Sequence, residues 1–236
     1  MRKSSALLAA TALAATVAMP VAASAATAQP GQTAVPTFDY SDCPQLPAGV
    51  DPAKWRCEVL VGEGTATIGG AAVPFDFTRV THAEGPMPDG TPGQVFGGFR
   101  AARLPVPGRQ SGDGRGPKLW IQPHLTVAPD FYSQTGAMSL TFQLTGPRLG
   151  DHCTIGTTAA PVQVAAARVP GTAQWLSQDP PVITFQVLDQ TFSTPRVSGC
   201  GPAAAELNRR FGLPSPSGEN QLSGTAFYSF KTYDQL

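Results

Sequence analysis

Between Gly136 and Thr145 the chain alternates with a period of two. Met138, Leu140, Phe142 and Leu144 share one parity, and Ser139, Thr141, Gln143 and Thr145 share the other. That pattern predicts a half-buried antiparallel strand. Cys57–Ile68 and Ala71–Val80 flank Gly69-Gly70 and predict a hairpin, because a two-residue turn needs the positive φ that glycine supplies. In its second arm Val73, Phe75 and Phe77 alternate with Pro74, Asp76 and Thr78. Further strands are predicted over Gln94–Arg103 (weakened by Gly97-Gly98), Leu119–Val127, Ala160–Val169, Pro180–Leu188 and Gly224–Tyr233. Ile183, Phe185 and Val187 share one face, and Tyr228 and Phe230 are expected in or near the core. Thr81–Gly93 reads as a loop with a turn at Asp89-Gly90.

The period changes once. Ala203, Leu207 and Phe211 recur at i, i+4 and i+8 and form a helical stripe. Pro202 suits the first helical position, Gly212 the left-handed position after the last turn, and Pro214 the stop. Glu206 is placed to pair with Arg210 one turn on. Eight to ten short strands and one helix predict an all-β antiparallel sandwich, with an open barrel as the alternative.

Composition agrees. With 25 Gly, 24 Pro and only 14% charged residues in 236, turns and strands are easier to build than long amphipathic helices. The first residues add a destination. Arg2 and Lys3 precede an uncharged Ala- and Leu-rich run over Ser4–Met19, then two A-x-A sites at Ala23–Ala25 and Ala26–Ala28. Residues 1–25 are therefore expected to be a secretory signal peptide. Residues 26–41 lack periodicity and read as a flexible leader, and 42–236 as a single domain. No later apolar stretch reaches the length of a membrane span. Without Arg2 and Lys3 the 16 basic residues fall to 14 against 16 acidic ones, a balance that argues against a nucleic-acid surface.

Cys43, Cys57, Cys153 and Cys200 all follow the signal, and four cysteines in an exported chain suggest two disulfides. Three pairings exist. Cys43–Cys57 with Cys153–Cys200 is favoured: the first closes a loop containing three prolines and a glycine, and the second links distant segments. Gly199-Cys200-Gly201-Pro202 lacks the second cysteine of a C-x-x-C redox motif, since Ala203 stands there, and no histidine lies nearby. Cys200 is expected to be structural.

Candidate chemistry is sparse. There is no nucleophile elbow, no zinc-protease helix, no EF-hand and no phosphate loop. His82, His124 and His152 are far apart in sequence, and only folding would gather them round a metal. Asp76, Glu84, Asp130, Asp151 and Glu219 show no telling spacing, although a two-carboxylate glycosidase site is assembled in space. Trp55, Trp120 and Trp175 suit either a sugar-binding face or core packing. The Gly-rich stretch Pro105–Lys118 is a candidate recognition or protease-presenting loop carrying Arg109, Asp113, Arg115 and Lys118, or else a plain surface connection. No catalytic residue, metal ligand or cofactor is assigned, and no partner is identified.

Three segments carry a resemblance. Gly150–Gly156 follows G-x-x-C-x-I-G, Val187–Gly201 follows V-x-D-x-x-F-x-x-P-x-x-x-G-C-G, and Phe211–Gly218 follows a helix ending in L-G-L-P-S-x-x-G. Together they resemble a group of uncharacterised exported proteins of high-GC Gram-positive (actinobacterial) bacteria. The stretch PAGVDPAKWRCEV over 47–59 is similar more loosely. Phe211 replaces a commoner Leu, and Thr154 a frequent Tyr. The group has no assigned activity, so the resemblance implies no catalytic residues. It does support Cys153 and Cys200 as a pair, because each motif is built round a cysteine. The leading expectation is a secreted or envelope-associated protein that binds or supports structure. The alternatives are an extracellular hydrolase with a spatially assembled site and a protease inhibitor presenting residues 105–118.

Overall fold

Thirteen strand segments, one α-helix and three short 3-10 turns make up the regular structure among the described residues of the computed structural model. It describes residues 35–107, 119–129 and 136–236, apart from the side chains of Asp76 and Phe77. The strands are β1 (Arg56–Ile68), β2 (Ala71–Pro86), β3 (Pro92–Arg100), β4 (Leu104–Pro105), β5 (Trp120–Val127), β6 (Ala137–Thr145), β7 (Thr154–Ile155), β8 (Val162–Ala165), β9 (Ala167–Arg168), β10 (Gln174–Gln178), β11 (Pro181–Asp189), β12 (Val197–Ser198) and β13 (Gln221–Thr232). The helix α1 spans Ala204–Phe211. One sheet runs β10-β11-β13-β1-β2-β3, with β9 also on β11. The other runs β12-β7-β6-β5-β4, with β8 also on β6. Every pairing is antiparallel. The fold is an all-β sandwich with one short helix.

The sheets meet through the apolar parity of their strands. Ala66, Ile68 and Val73 of the first sheet pack in one cluster with Leu140, Phe142 and Leu144 of the second. Leu207 and Phe211, two of the three residues in the predicted stripe, bury in the same cluster. Residues 201–203 form a 3-10 turn that leads into α1. The helix ends at Gly212, whose φ of +69° is costly for any residue with a Cβ. Leu213 N–H then reaches back to the Asn208 carbonyl at 2.8 Å, satisfying a carbonyl that the helix end leaves open.

Both favoured disulfides are present, and no cysteine is free. Paired cysteines of this kind persist outside the reducing cytoplasm. Cys43–Cys57 ties an N-terminal strap to the outer face of the first sheet. The strap includes residues 35–41, the last part of the expected flexible leader. Here Tyr40 hydrogen-bonds Ser229 at 2.8 Å and Asp39 accepts from Arg79 at 2.8 Å. The expected signal segment 1–25 and residues 26–34 of the expected leader lie outside the described residues. Among the described residues, no helix is long and apolar enough to cross a membrane.

Several elements differ from expectation. Thr81–Pro86, read as loop, continues β2 and pairs with β1 and β3. The segment 160–169 divides between sheets, β8 joining β6 and β9 joining β11. The division falls at Ala166, whose N–H bonds the Gly136 carbonyl instead of a strand. Glu206 pairs with Arg209 rather than Arg210, and Arg210 reaches the carbonyls of Val106 and Pro107.

Candidate functional site

The site begins with a turn. At Gly69-Gly70 the chain reverses and Ile68 pairs with Ala71. Regular pairing from there would set Glu58 against Thr81. A bulge between Gly62 and Gly64 inserts one extra residue in β2, so Glu58 faces His82 and Arg56 faces Glu84. On the other side β13 sets Tyr228 against Leu60 and Phe230 against Glu58. Arg56, Glu58, His82, Glu84, Tyr228 and Phe230 therefore gather on one face of three neighbouring strands. Farther along, that same face carries Ala66, Val73 and Leu222 into the inter-sheet core.

Its geometry is a closed set of charge contacts. Arg56 Nη2 lies 3.0 Å from Glu58 Oε1 and also bonds Glu84 Oε1. His82 Nε2 lies 3.3 Å from Glu58 Oε2 and 3.9 Å from Glu84 Oε2. The guanidinium stacks over the Phe230 ring at 5.0 Å. The Glu58 and His82 side chains are only 6% and 5% exposed, whereas Glu84 is 21% and Arg56 42% exposed. The cluster therefore runs from a buried pair to a solvent edge.

The two carboxyls titrate in opposite directions. Burial pushes the Glu58 carboxyl up, but hydrogen bonds from His82, Glu84 and Tyr228 outweigh it and hold the group below its ordinary value. Burial and the adjacent Glu58 carboxylate push Glu84 above its ordinary value, against the pull of Arg56. Burial, followed by the Glu58 charge, drives the Tyr228 phenol far up, so it serves as a hydrogen-bond donor to Glu58.

Among the described residues, folding brings the other sequence candidates to no common place. His124 on β5 and His152 beside Cys153 are exposed, so the three histidines do not converge. Trp55 is fully buried against Gly85 and Gly93 and donates to the Pro86 carbonyl at 2.9 Å, which is core packing. Trp120 stacks with Arg103 at 4.9 Å and lines a shallow groove that Asp151 also borders. Trp175 is 54% exposed on the edge strand β10. Glu219 touches the Ser215 hydroxyl at 3.4 Å. Asp130 and the Asp76 side chain lie outside the described residues, as do Arg109, Asp113, Arg115 and Lys118 of the candidate loop.

Sequence reading named His82 and Glu84 separately but missed Glu58 and Arg56. A signal was there: a charged residue on either side of Cys57, just before the apolar run Val59–Val61. The residues that carried the family resemblance serve another part of the fold. The Cys153–Cys200 link joins two of the three motifs, and Asp189 accepts from Ala165 N–H at 2.6 Å and Thr191 N–H at 2.7 Å. No protein-family model, no curated protein and no solved structure matches this chain.

Proposed function

We propose that the protein is exported by its N-terminal signal and works in the envelope or the medium, by binding or by structure rather than by catalysis. This reading keeps it with the exported proteins of high-GC Gram-positive bacteria that it resembles. The observation that carries it is the mutual engagement of the most concentrated charge on the sheet. Arg56 holds both carboxylates, and His82 and Tyr228 hold Glu58. Groups so engaged stabilise one another and are not poised to attack a substrate. The motif residues point the same way, since they build a disulfide-tied junction.

The test is a thermal-shift screen of the disulfide-intact protein against cell-wall fragments, glycans, lipids and secreted proteins. A ligand that binds only the native state raises the melting temperature in proportion to its occupancy. A dose-dependent rise names the ligand class, and turnover of any panel member would sink the non-catalytic reading.

The opposed displacement of Glu58 and Glu84 favours a second reading, an extracellular hydrolase. Paired carboxyls with values pushed apart are how one site supplies both an acid and a base. Hydrolysis of a glycan or ester panel, abolished by Glu84→Gln, would establish it. A panel left intact by the native protein removes it.

A further inference from the structure

We propose that Glu58, His82 and Glu84 form a binding site for a divalent transition cation of the Zn2+ class, with Arg56 orienting both carboxylates from behind. The inference depends on neither reading of function.

The donor set is the first ground. Two carboxylates and an imidazole are the mixed oxygen and nitrogen ligands that zinc takes in sites keeping a fourth position open. One ligand atom from each of the three residues lies within 4.8 Å of the others. The two spacings from His82 are closer than that. Oxygen and nitrogen ligands about 2.0–2.2 Å from a tetrahedral ion stand about 3.3–3.6 Å from each other. His82 Nε2 is 3.3 Å from Glu58 Oε2 and 3.9 Å from Glu84 Oε2. A few tenths of an ångström of movement at the solvent-edge Glu84 closes the second spacing.

Arg56 is the apparent objection, because a guanidinium repels a cation. Its contacts answer this. Arg56 takes the Oε1 atom of each carboxylate, while the Oε2 atoms face His82. The guanidinium and the ion would thus use opposite oxygens of the same two carboxylates. That arrangement fixes the ligands in the way that outer hydrogen-bond partners orient metal-binding carboxylates. The route in passes Glu84, the ligand that remains partly exposed. An ion there would bind β1 to β2 next to the strand end that Cys43–Cys57 already secures.

The experiment is a Zn2+ titration of the untagged, disulfide-intact protein by calorimetry, with Co2+ absorption as a second probe. The expected result is one ion per chain and a Co2+ spectrum of tetrahedral or five-coordinate type. Glu84→Gln and His82→Gln should each weaken Zn2+ binding at least about 10-fold. His124→Ala and His152→Ala should leave it unchanged. Glu84→Gln carries the test if His82→Gln, at a buried position, fails to fold. No stoichiometric binding, binding untouched by Glu84→Gln, or binding lost with the exposed histidines would each overturn the proposal.

Discussion

Asn220 shows how much one side chain can carry. It is 1% exposed, and its carboxamide oxygen accepts from Gly69 N–H at 2.8 Å and the Thr194 hydroxyl at 3.1 Å. Its amide donates to the Phe192 carbonyl at 3.0 Å and the Pro216 carbonyl at 2.8 Å. One residue thus holds the β1–β2 turn against the chain that precedes β13. Asn220→Ala would strand those partners in a dry site and should cost about 2–3 kcal/mol. Asn220→Asp should cost at least as much, because carboxylate oxygen would face carbonyl oxygen. Denaturant unfolding checks both, as a fall in midpoint at constant slope. At the charged cluster, Arg56→Met leaves two carboxylates facing each other. The expected loss is about 1–2 kcal/mol, below that for a fully buried pair because the guanidinium is 42% exposed. An unchanged midpoint would show that the Arg56 contacts contribute nothing net.

Among elements, the N-terminal strap packs on the first sheet through Asp39, Tyr40 and Cys43. Trp55 covers Gly85 and Gly93, and a Cβ on Gly85 would stand 2.6 Å from the indole. Gly85→Ala should displace the ring at a cost of about 1–3 kcal/mol, visible as a red shift in tryptophan fluorescence. The strap is also acid-sensitive. Backbone and side-chain hydrogen bonds from Ser41, with help from Arg79, hold Asp39 down at about 2, and Arg100 holds Asp42 below its ordinary value. Carboxyls lowered by folding stabilise the native state above the unfolded value near 3.9 and stop doing so as pH falls through the folded value. Strap contacts should therefore weaken between about pH 4 and pH 2. Asp42→Asn should flatten that acid limb in hydrogen exchange of residues 39–43, and an identical limb in both proteins would refute the assignment. Elements with a clean period, such as β6 and α1, were legible in the sequence because one face of each is simply apolar. Thr81–Pro86 was not: its glycine, its proline and its titratable side chains imitate a loop, and only pairing on both sides makes it a strand.

For the whole molecule, the two disulfides act on different scales. Cys43–Cys57 closes 14 residues and Cys153–Cys200 closes 47. On the loop-entropy model they contribute about 3 and about 4 kcal/mol. Replacing Cys153 and Cys200 by serine should lower the melting temperature more than replacing Cys43 and Cys57, and the reverse order would point to strain or strap packing instead. The sequence by itself determined the strand-rich class, the β1–β2 turn, the helix with its stop, and four cysteines whose favoured pairing is the one formed. Each follows from local period, local backbone preference or a count. The assembly of the charged cluster was decided by tertiary structure alone. A one-residue slip moves every side chain of a strand to the opposite face. Without the bulge opposite Gly62 and Gly64, Glu58 would pair with Thr81, and His82 and Glu84 would point to the strap side of the sheet. The glycines flanking that bulge are visible in the sequence. The extra residue becomes a bulge only where β13 holds β1 straight on its other side, and that contact joins residues more than 150 positions apart.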